Sequence, residues 1–338
     1  MYQDTGTYAD KIISGFGLKL LITGASKLFE AAPYYISERI KYYEILDDTP
    51  EQDASTSQVE RKENESVSTG HSKVTSLEVE LTEKARQEPI DYLTQINLTD
   101  SNYQLDELAM SKIVDLFIRN MYKSLNTIYE SATYFPAAQT VDVTATSTAW
   151  STAATADPLK DFLALLTKFL ASVNKDIDLS KITIFMSHEL IATIYATTAF
   201  KNWNNNVFQS DYQRTAAEIV LSAYFGYTVN ILPHAEFTEK FVIEYIDKPI
   251  GSQTIQNNLL NDSSIITGFY NLNNIAPNLV DMGMTVNLNG ITDTLPGNII
   301  MGRKYNKVDQ TGIIVHGTTI NNVYVHNQKA LGRLTNIV

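Results

Sequence analysis

The 338-residue sequence contains no cysteine. Disulfides, thiolate zinc sites, iron–sulfur clusters and thiol nucleophiles are thereby excluded. Histidine is scarce: His71, His188, His234, His316 and His326 lie scattered along the chain, so no His-based metal site assembles from local spacing. Basic charge is also short. Lys and Arg number 26 against 38 Asp and Glu, a formal net charge of −12. Dedicated nucleic-acid binding normally needs a basic surface, so that class is disfavoured. Long uncharged apolar runs are missing too. The most apolar early stretch, residues 12–32, is interrupted by Lys19, Lys27 and Glu30. A membrane-spanning helix needs roughly 20 nearly uncharged residues, and a signal peptide needs an unbroken apolar run. The expectation is a protein without a membrane segment that folds in the cytosol. What is abundant is core material: 44% hydrophobic residues, with 19 Tyr and 13 Phe, enough for one large domain or two intimate ones.

The pattern along the chain changes several times. Residues 1–37 mix apolar residues at helical spacing (Ile12, Ile13, Phe16, Leu20, Leu21) with Gly15, Gly17 and Gly24, which lower helix propensity. This reads as an arm with one or two short helices. Residues 38–91 carry 14 acidic against 7 basic residues, seven of the twelve excess negative charges. From Asp47 to Ser76 large apolar residues nearly vanish, so the stretch cannot offset its own ordering entropy. Its flanks are strand-like: Ile40, Tyr42 and Glu44 share one face, and Val74, Leu77, Val79 and Leu81 favour β structure. A long two-stranded arm with a charged tip is expected, with an interdomain linker as the alternative.

Leu105 to Ala132 is strongly helical, with Phe117, Met121, Leu125, Ile128 and Ala132 on one face, extended upstream by Leu105, Leu108 and Ile113. A strand and loop follow over residues 141–156. Asp157-Pro158 then opens another helix, with Asp as N-cap and Pro at the first position. Its expected inner face is Leu159, Leu163, Leu166, Leu170 and Val173. Leu179–Met186 reads as a buried strand, Ser187 as the cap of the next helix, and Thr215–Phe225 as a helix stopped by Gly226. Tyr227–Leu232 is another short strand. Beyond Lys240 the chain is β-rich, with strands expected at Phe241–Ile246, Ile265–Tyr270, Met284–Leu288, Gly312–His316 and Asn322–His326. The fold class is α+β.

Each resemblance to a catalytic motif lacks a residue that its chemistry requires. Ile22-Thr23-Gly24-Ala25-Ser26-Lys27 resembles the start of a dinucleotide loop, but the further glycine positions hold Leu28 and Glu30. Met186-Ser187-His188-Glu189 lacks the second His of a helical zinc site, since that position is Ala192. No Gly-x-Ser-x-Gly elbow or phosphate loop occurs. His188 is therefore expected at a surface or interface. No cofactor and no enzymatic constellation are read from local motifs.

The order of segments carries more than any motif. Leu77–Pro89 runs into the Leu105–Ala132 helix. Asp157-Pro158-Leu159 and its helix are followed by Leu179–Ser187 and His188–Leu190. Gly302-Arg303-Lys304-Tyr305 leads to the closing stretch Val323–Val338. This succession resembles the major capsid protein of tailed phages, the Hong Kong 97-like fold. The resemblance implies an N-arm (1–37), an extended loop hairpin (38–85), a peripheral domain with a long spine helix (86–156), an axial domain (157–300) and return strands to the peripheral domain (301–338).

It also implies a self-assembling, non-enzymatic shell protein, built into an icosahedral phage head as hexamers and pentamers in the host cytoplasm and ending in the virion. Such a shell encloses double-stranded DNA while contacting it weakly and non-specifically. Portal and scaffolding proteins are implied partners, with room for decoration proteins. Because the globular pattern starts within the first few dozen residues, the scaffold is expected as a separate protein, or the chain as a processed form. Inter-subunit contacts are expected from the hairpin residues Glu60, Arg61, Lys62, Glu63 and Lys73. Some family members cross-link Lys to Asn; Lys62 or Lys73 with Asn321 or Asn322 are the candidates, and ordinary polar roles are the stronger reading. An encapsulin-like compartment shell is the nearest alternative. An acidic cytosolic enzyme with a site assembled over long range is the second.

Overall fold

A computed structural model describes residues 11–47, 75–91, 105–173, 178–207, 216–232, 237–246, 263–275, 285–288, 291–294, 299–306 and 312–338. In chain order, α1 (Lys11–Gly24) and α2 (Ser26–Ala31) precede β1 (Tyr34–Ser37), β2 (Lys41–Asp47), β3 (Thr75–Glu80) and β4 (Thr82–Asp91). The long α3 (Leu105–Glu130) leads to β5 (Thr140–Asp142) and the short α4 (Val143–Thr146). Then come α5 (Pro158–Ser172), β6 (Ile182–Ser187), α6 (Glu189–Ala196), α7 (Thr198–Val207), α8 (Ala217–Phe225) and β7 (Thr228–Leu232). The remaining strands are β8 (Phe241–Tyr245), β9 (Ile265–Tyr270), β10 (Thr285–Leu288), β11 (Ile291–Thr294), β12 (Met301–Asn306), β13 (Gly312–Val325) and β14 (Leu331–Thr335).

The α3 helix organises the first half. Its 26 residues make a rod of about 39 Å. Ala109, Met110, Ile113, Val114, Phe117, Ile118, Met121, Leu125 and Ile128 are buried along one face. Each large apolar side chain removed from water contributes roughly 1.5–3 kcal/mol. The expected face is correct from Ile113 to Ile128; Ala132, expected at its end, is exposed and lies beyond the helix, which stops at Glu130. Leu108 is a correction: it is 50% exposed, because Ala109 and Met110 turn inward instead. On the core side α3 meets α1. The glycines that weaken α1 as an isolated helix are what let it approach: a Cβ on Gly17 would collide with the Met110 Cε, and one on Gly24 would lie 2.6 Å from the Ile118 Cδ1. The dinucleotide-like Ile22–Lys27 stretch is thus a helix junction, with Gly24 serving packing. The N-terminal segment is also tied to β12, where the Ser14 Oγ accepts from the Gly302 N–H at 2.8 Å.

Beside α3 lies a five-stranded sheet of order β1-β9-β13-β12, with β4 also paired to β13. Two separate strands, Gly312–His316 and Asn322–His326, were expected here. They are one continuous 14-residue strand. Residues 312–321 pair with β4, and residues 321–325 pair with β9. Pairing with β4 on one side and β12 on the other keeps the backbone extended through Gly317 and Thr318, which look like a turn in the sequence.

The second five-stranded sheet has order β5-β14-β8-β6-β7. Its two outer pairs, β14–β5 and β6–β7, are parallel, and β8 runs antiparallel to both β14 and β6. Both sheets draw on distant sequence: β9 joins the first sheet and β14 the second. The α5 helix covers one face of the second sheet and begins as expected, with the Asp157 side chain accepting from the Lys160 N–H. Its inner face is corrected in part: Leu166 is buried and Leu159 and Val173 pack against the second core as expected, but two of the leucines are not inside. Phe162, Leu165, Leu166 and Phe169 are buried, whereas Leu163 is 50% exposed and Leu170 is also exposed. The larger rings of Phe162 and Phe169 claim the interior, rotating the helix away from its leucine stripe. Ser187 is also reassigned. Its Oγ accepts from the Lys240 N–H at 2.8 Å and does not cap α6. Gly226 ends α8 with φ 77°, a left-handed conformation suited to glycine.

Within this second core the Asp161 carboxylate is fully buried. It accepts from Trp150 Nε1 (2.8 Å), Ser147 Oγ (2.8 Å) and Thr146 Oγ1 (2.5 Å). Three donors replace the water it has lost. They pin the α4 turn to the start of α5.

Candidate assembly surfaces

The β2–β3 ladder runs antiparallel from Lys41↔Glu80 to Asp47↔Thr75, with an irregularity between Ile45 and Asp47. The expected two-stranded element therefore exists at residues 41–47 and 75–80. Its root is clamped to the body. Val79, Leu81, Ile266, Leu272, Met301, Ile320 and Tyr324 form a small third core, with Tyr35 and Tyr42 packed against it. The Tyr35 and Tyr42 rings meet edge-on at 5.9 Å, and the Tyr42 and Tyr324 hydroxyls are 3.3 Å apart. The expected shared face is realised at Tyr42, while Ile40 is exposed.

Tyr43 faces outward and is 65% exposed. Its hydroxyl donates to the Glu78 Oε2 at 3.0 Å, and Lys41 forms an ion pair with the same carboxylate. Lys41 and then Tyr43 hold the Glu78 carboxyl below the usual carboxylate range. Because the cluster lies in water, its contribution to the stability of the chain is small. A two-stranded ribbon has little stability alone; this one is supported by its root.

Two other surfaces present apolar side chains outward. On α3, Leu108, Lys112, Asp115, Leu116, Arg119 and Lys123 form one exposed stripe at helical spacing. On α5, Leu163 and Leu170 lie seven residues apart on the exposed side. These positions were unforeseen, since leucines at such spacing read as core. The signal that separates them is the competing aromatic stripe on α5 and the three basic residues interleaved on α3.

The contact residues expected from the sequence, Glu60, Arg61, Lys62, Glu63 and Lys73, lie outside the described residues. The asparagines considered for cross-links have ordinary hydrogen bonds. Asn321 is buried, accepts from Lys84 Nζ at 2.7 Å and donates to Thr319 Oγ1 at 3.2 Å. Asn322 Nδ2 donates to the Glu80 carbonyl at 3.0 Å. Lys84 escaped the sequence reading because it looks like one more charge on the arm. Burial pushes its amine down to about 8. His188 is exposed at the start of α6, as expected. Among the described residues, no helix is long and apolar enough to cross a membrane.

The sequence matches no protein-family model and no curated protein. Solved structures do match it. A phage-related protein from Bordetella bronchiseptica RB50 is similar over 98% of both chains, with a TM-score of 0.59 and 10% identity. The capsid of a native GTA particle is similar over 92% of this chain and 89% of its own, with a TM-score of 0.57 and 10% identity. The capsid of cyanophage P-SCSP1u is similar over 90% of this chain and 86% of its own, with a TM-score of 0.50 and 9% identity. Likeness across nearly the whole length establishes the fold: this chain has the Hong Kong 97-like fold of phage capsid proteins.

Proposed function

We propose that the chain is a phage major capsid protein whose copies assemble as hexamers and pentamers into an icosahedral shell enclosing double-stranded DNA. The observation that carries this reading is the near-complete structural likeness to the capsids of a GTA particle and a cyanophage. The physics of the surfaces agrees with it. A two-stranded element anchored at its root can find further partners on another copy, and closed shells reuse one surface many times. In this reading residues 1–37 are the N-arm, 38–85 the extended loop, and α3 the spine helix. Glu60, Arg61, Lys62, Glu63 and Lys73 make inter-subunit contacts, each weak but repeated through the particle. Portal and scaffolding proteins complete the assembly, and the acidic chain keeps packaged DNA from adhering to the wall. The chain performs no catalysis and resides in the virion.

Electron microscopy of the expressed protein, alone and with a scaffolding partner, tests the proposal. Rings or closed shells are expected. A stable monomer under both conditions overturns it, and particles filled with cargo protein reassign it to an encapsulin-like shell. Reversing the charges of Glu60, Arg61, Lys62 and Glu63 is expected to lower particle yield or particle melting temperature. Unchanged particles would remove these four residues from the interface.

A further inference from the structure

The β8 strand is a wall between two cores. Phe241, Ile243 and Tyr245 face the second core, while Val242 faces the first and Ile246 packs against it. By strand alternation Glu244 points to the first-core side, at the seam where the end of α3 meets the second sheet. The residue is fully buried, and neither carboxylate oxygen has a hydrogen-bond partner. Its cross-strand neighbours are Leu331 on β14 and Thr183 on β6. From α3 the buried Tyr129 hydroxyl faces it, close enough for electrostatic interaction but without a well-formed hydrogen bond.

The other charged groups of the seam have partners of their own, although the Arg333 Nε is buried with no hydrogen-bond partner. Arg333, two residues beyond Leu331 on β14, donates from Nη1 to the Tyr129 carbonyl at 2.8 Å and lies 5.1 Å over the Phe135 ring. At the rim Lys240 pairs with Glu130 at 3.2 Å. Asp161, also fully buried, has three well-formed donors; Glu244 has only the Tyr129 hydroxyl beside it, without a well-formed hydrogen bond. A buried carboxylate left without donors is costly, whereas the neutral acid is tolerated.

We propose that Glu244 is a protonation-dependent latch between the long helix and the second sheet. As a neutral acid it lets the seam close; as an anion it forces the seam to admit water. Burial pushes the carboxyl up to about 8, and the Tyr129 hydroxyl opposes this in part. The sign follows from proton counting. Between the ordinary carboxylate value of 4.5 and about 8, the folded chain holds a proton that the unfolded chain has released. Stability from this group is therefore complete below the lower value and is lost as pH rises through the upper one.

Two measurements on the full-length chain test the latch, and both stand whatever the chain assembles into. Infrared spectroscopy of the wild type at neutral pH should show the carbonyl stretch of a protonated carboxylic acid. That band should vanish as pH passes about 8 and be absent from Glu244→Gln. In Tyr129→Phe it should persist to higher pH, because the hydroxyl that favours ionisation is gone. Absence of the band in the wild type at neutral pH overturns the proposal, even if Glu244→Gln fails to fold. In denaturant titrations, the unfolding constant of the wild type relative to Glu244→Gln should rise by up to about tenfold per pH unit from 4.5 to about 8, then level off. A ratio that does not change with pH overturns the latch.

Discussion

The β6–β8 pair and the β2–β3 pair are both antiparallel ladders, of five and six residue pairs respectively. Their backbones make the same bonds, each contributing about 0.5–1.5 kcal/mol net. Their side chains live in different worlds. Every residue of β6 and β8 is buried, whereas Lys41, Tyr43, Glu78 and Glu80 of the other pair are exposed. The first ladder is held by the apolar cores on its two faces. Among the described residues, the second is held at its root, by the third core under Tyr42 and Val79. The difference teaches that strand pairing is not what separates the body from the arm. Side-chain burial is what separates them.

Mutations can break this comparison from the inside outward. Phe241→Ala should have the largest effect. The ring is fully buried and meets those of Trp150 at 5.7 Å, Phe225 at 5.5 Å and Phe162 at 6.3 Å. A loss of about 3–5 kcal/mol in denaturant unfolding is expected. Asp161→Asn should come next, at about 1.5–3 kcal/mol, since an amide places a donor among the three donors that the carboxylate satisfies.

The Lys84 amine, on β4 next to the arm, offers a pH test. Burial lowers its value from 10.5 to about 8, so the folded chain releases this proton before the unfolded chain does. Wild-type stability should therefore rise between pH 8 and 10.5, in a window above that of Glu244. Lys84→Met should flatten that rise; a wild type and variant with parallel pH curves would contradict it. The smallest effect on the chain itself should come from the arm. Tyr43→Ser combined with Lys41→Glu is expected to leave the denaturant midpoint of unfolding almost unchanged, because the cluster lies in water. The same double variant should reduce particle yield in the assembly assay. If it instead unfolds the chain, the arm is part of the body's stability and the contrast fails.

Much of the fold is legible in the sequence. The α3 helix, the Asp157-Pro158 start of α5, the Gly226 stop and the strands flanking the charged segment follow from periodicity and capping, which are local properties. The errors arise where two local patterns compete. On α5 the leucines at 159, 163, 166 and 170 form one stripe, and Phe162, Leu165 and Phe169 form another, roughly a quarter turn away. Either is a valid helix face until a sheet is laid against one. In the candidate contact region the sequence marks which segment is polar and acidic. It does not mark Leu108, Leu116, Leu163 or Leu170 as outward-facing, because exposure depends on neighbours far away in the chain.

Composition and segment order by themselves determined the class of this protein: free of thiols, acidic, α+β, with a charged hairpin ahead of one long helix. Only the tertiary structure decided which faces are inside and which polar groups lose their water. Glu244 is one acid in the run Phe241–Tyr245, and Asp161 one acid in the first turn of a helix. Nothing local separates them. One meets three donors from the turn just upstream of its helix, and the other meets apolar side chains and a tyrosine brought from distant strands and the long helix, since solvation is set by what folding packs against each group.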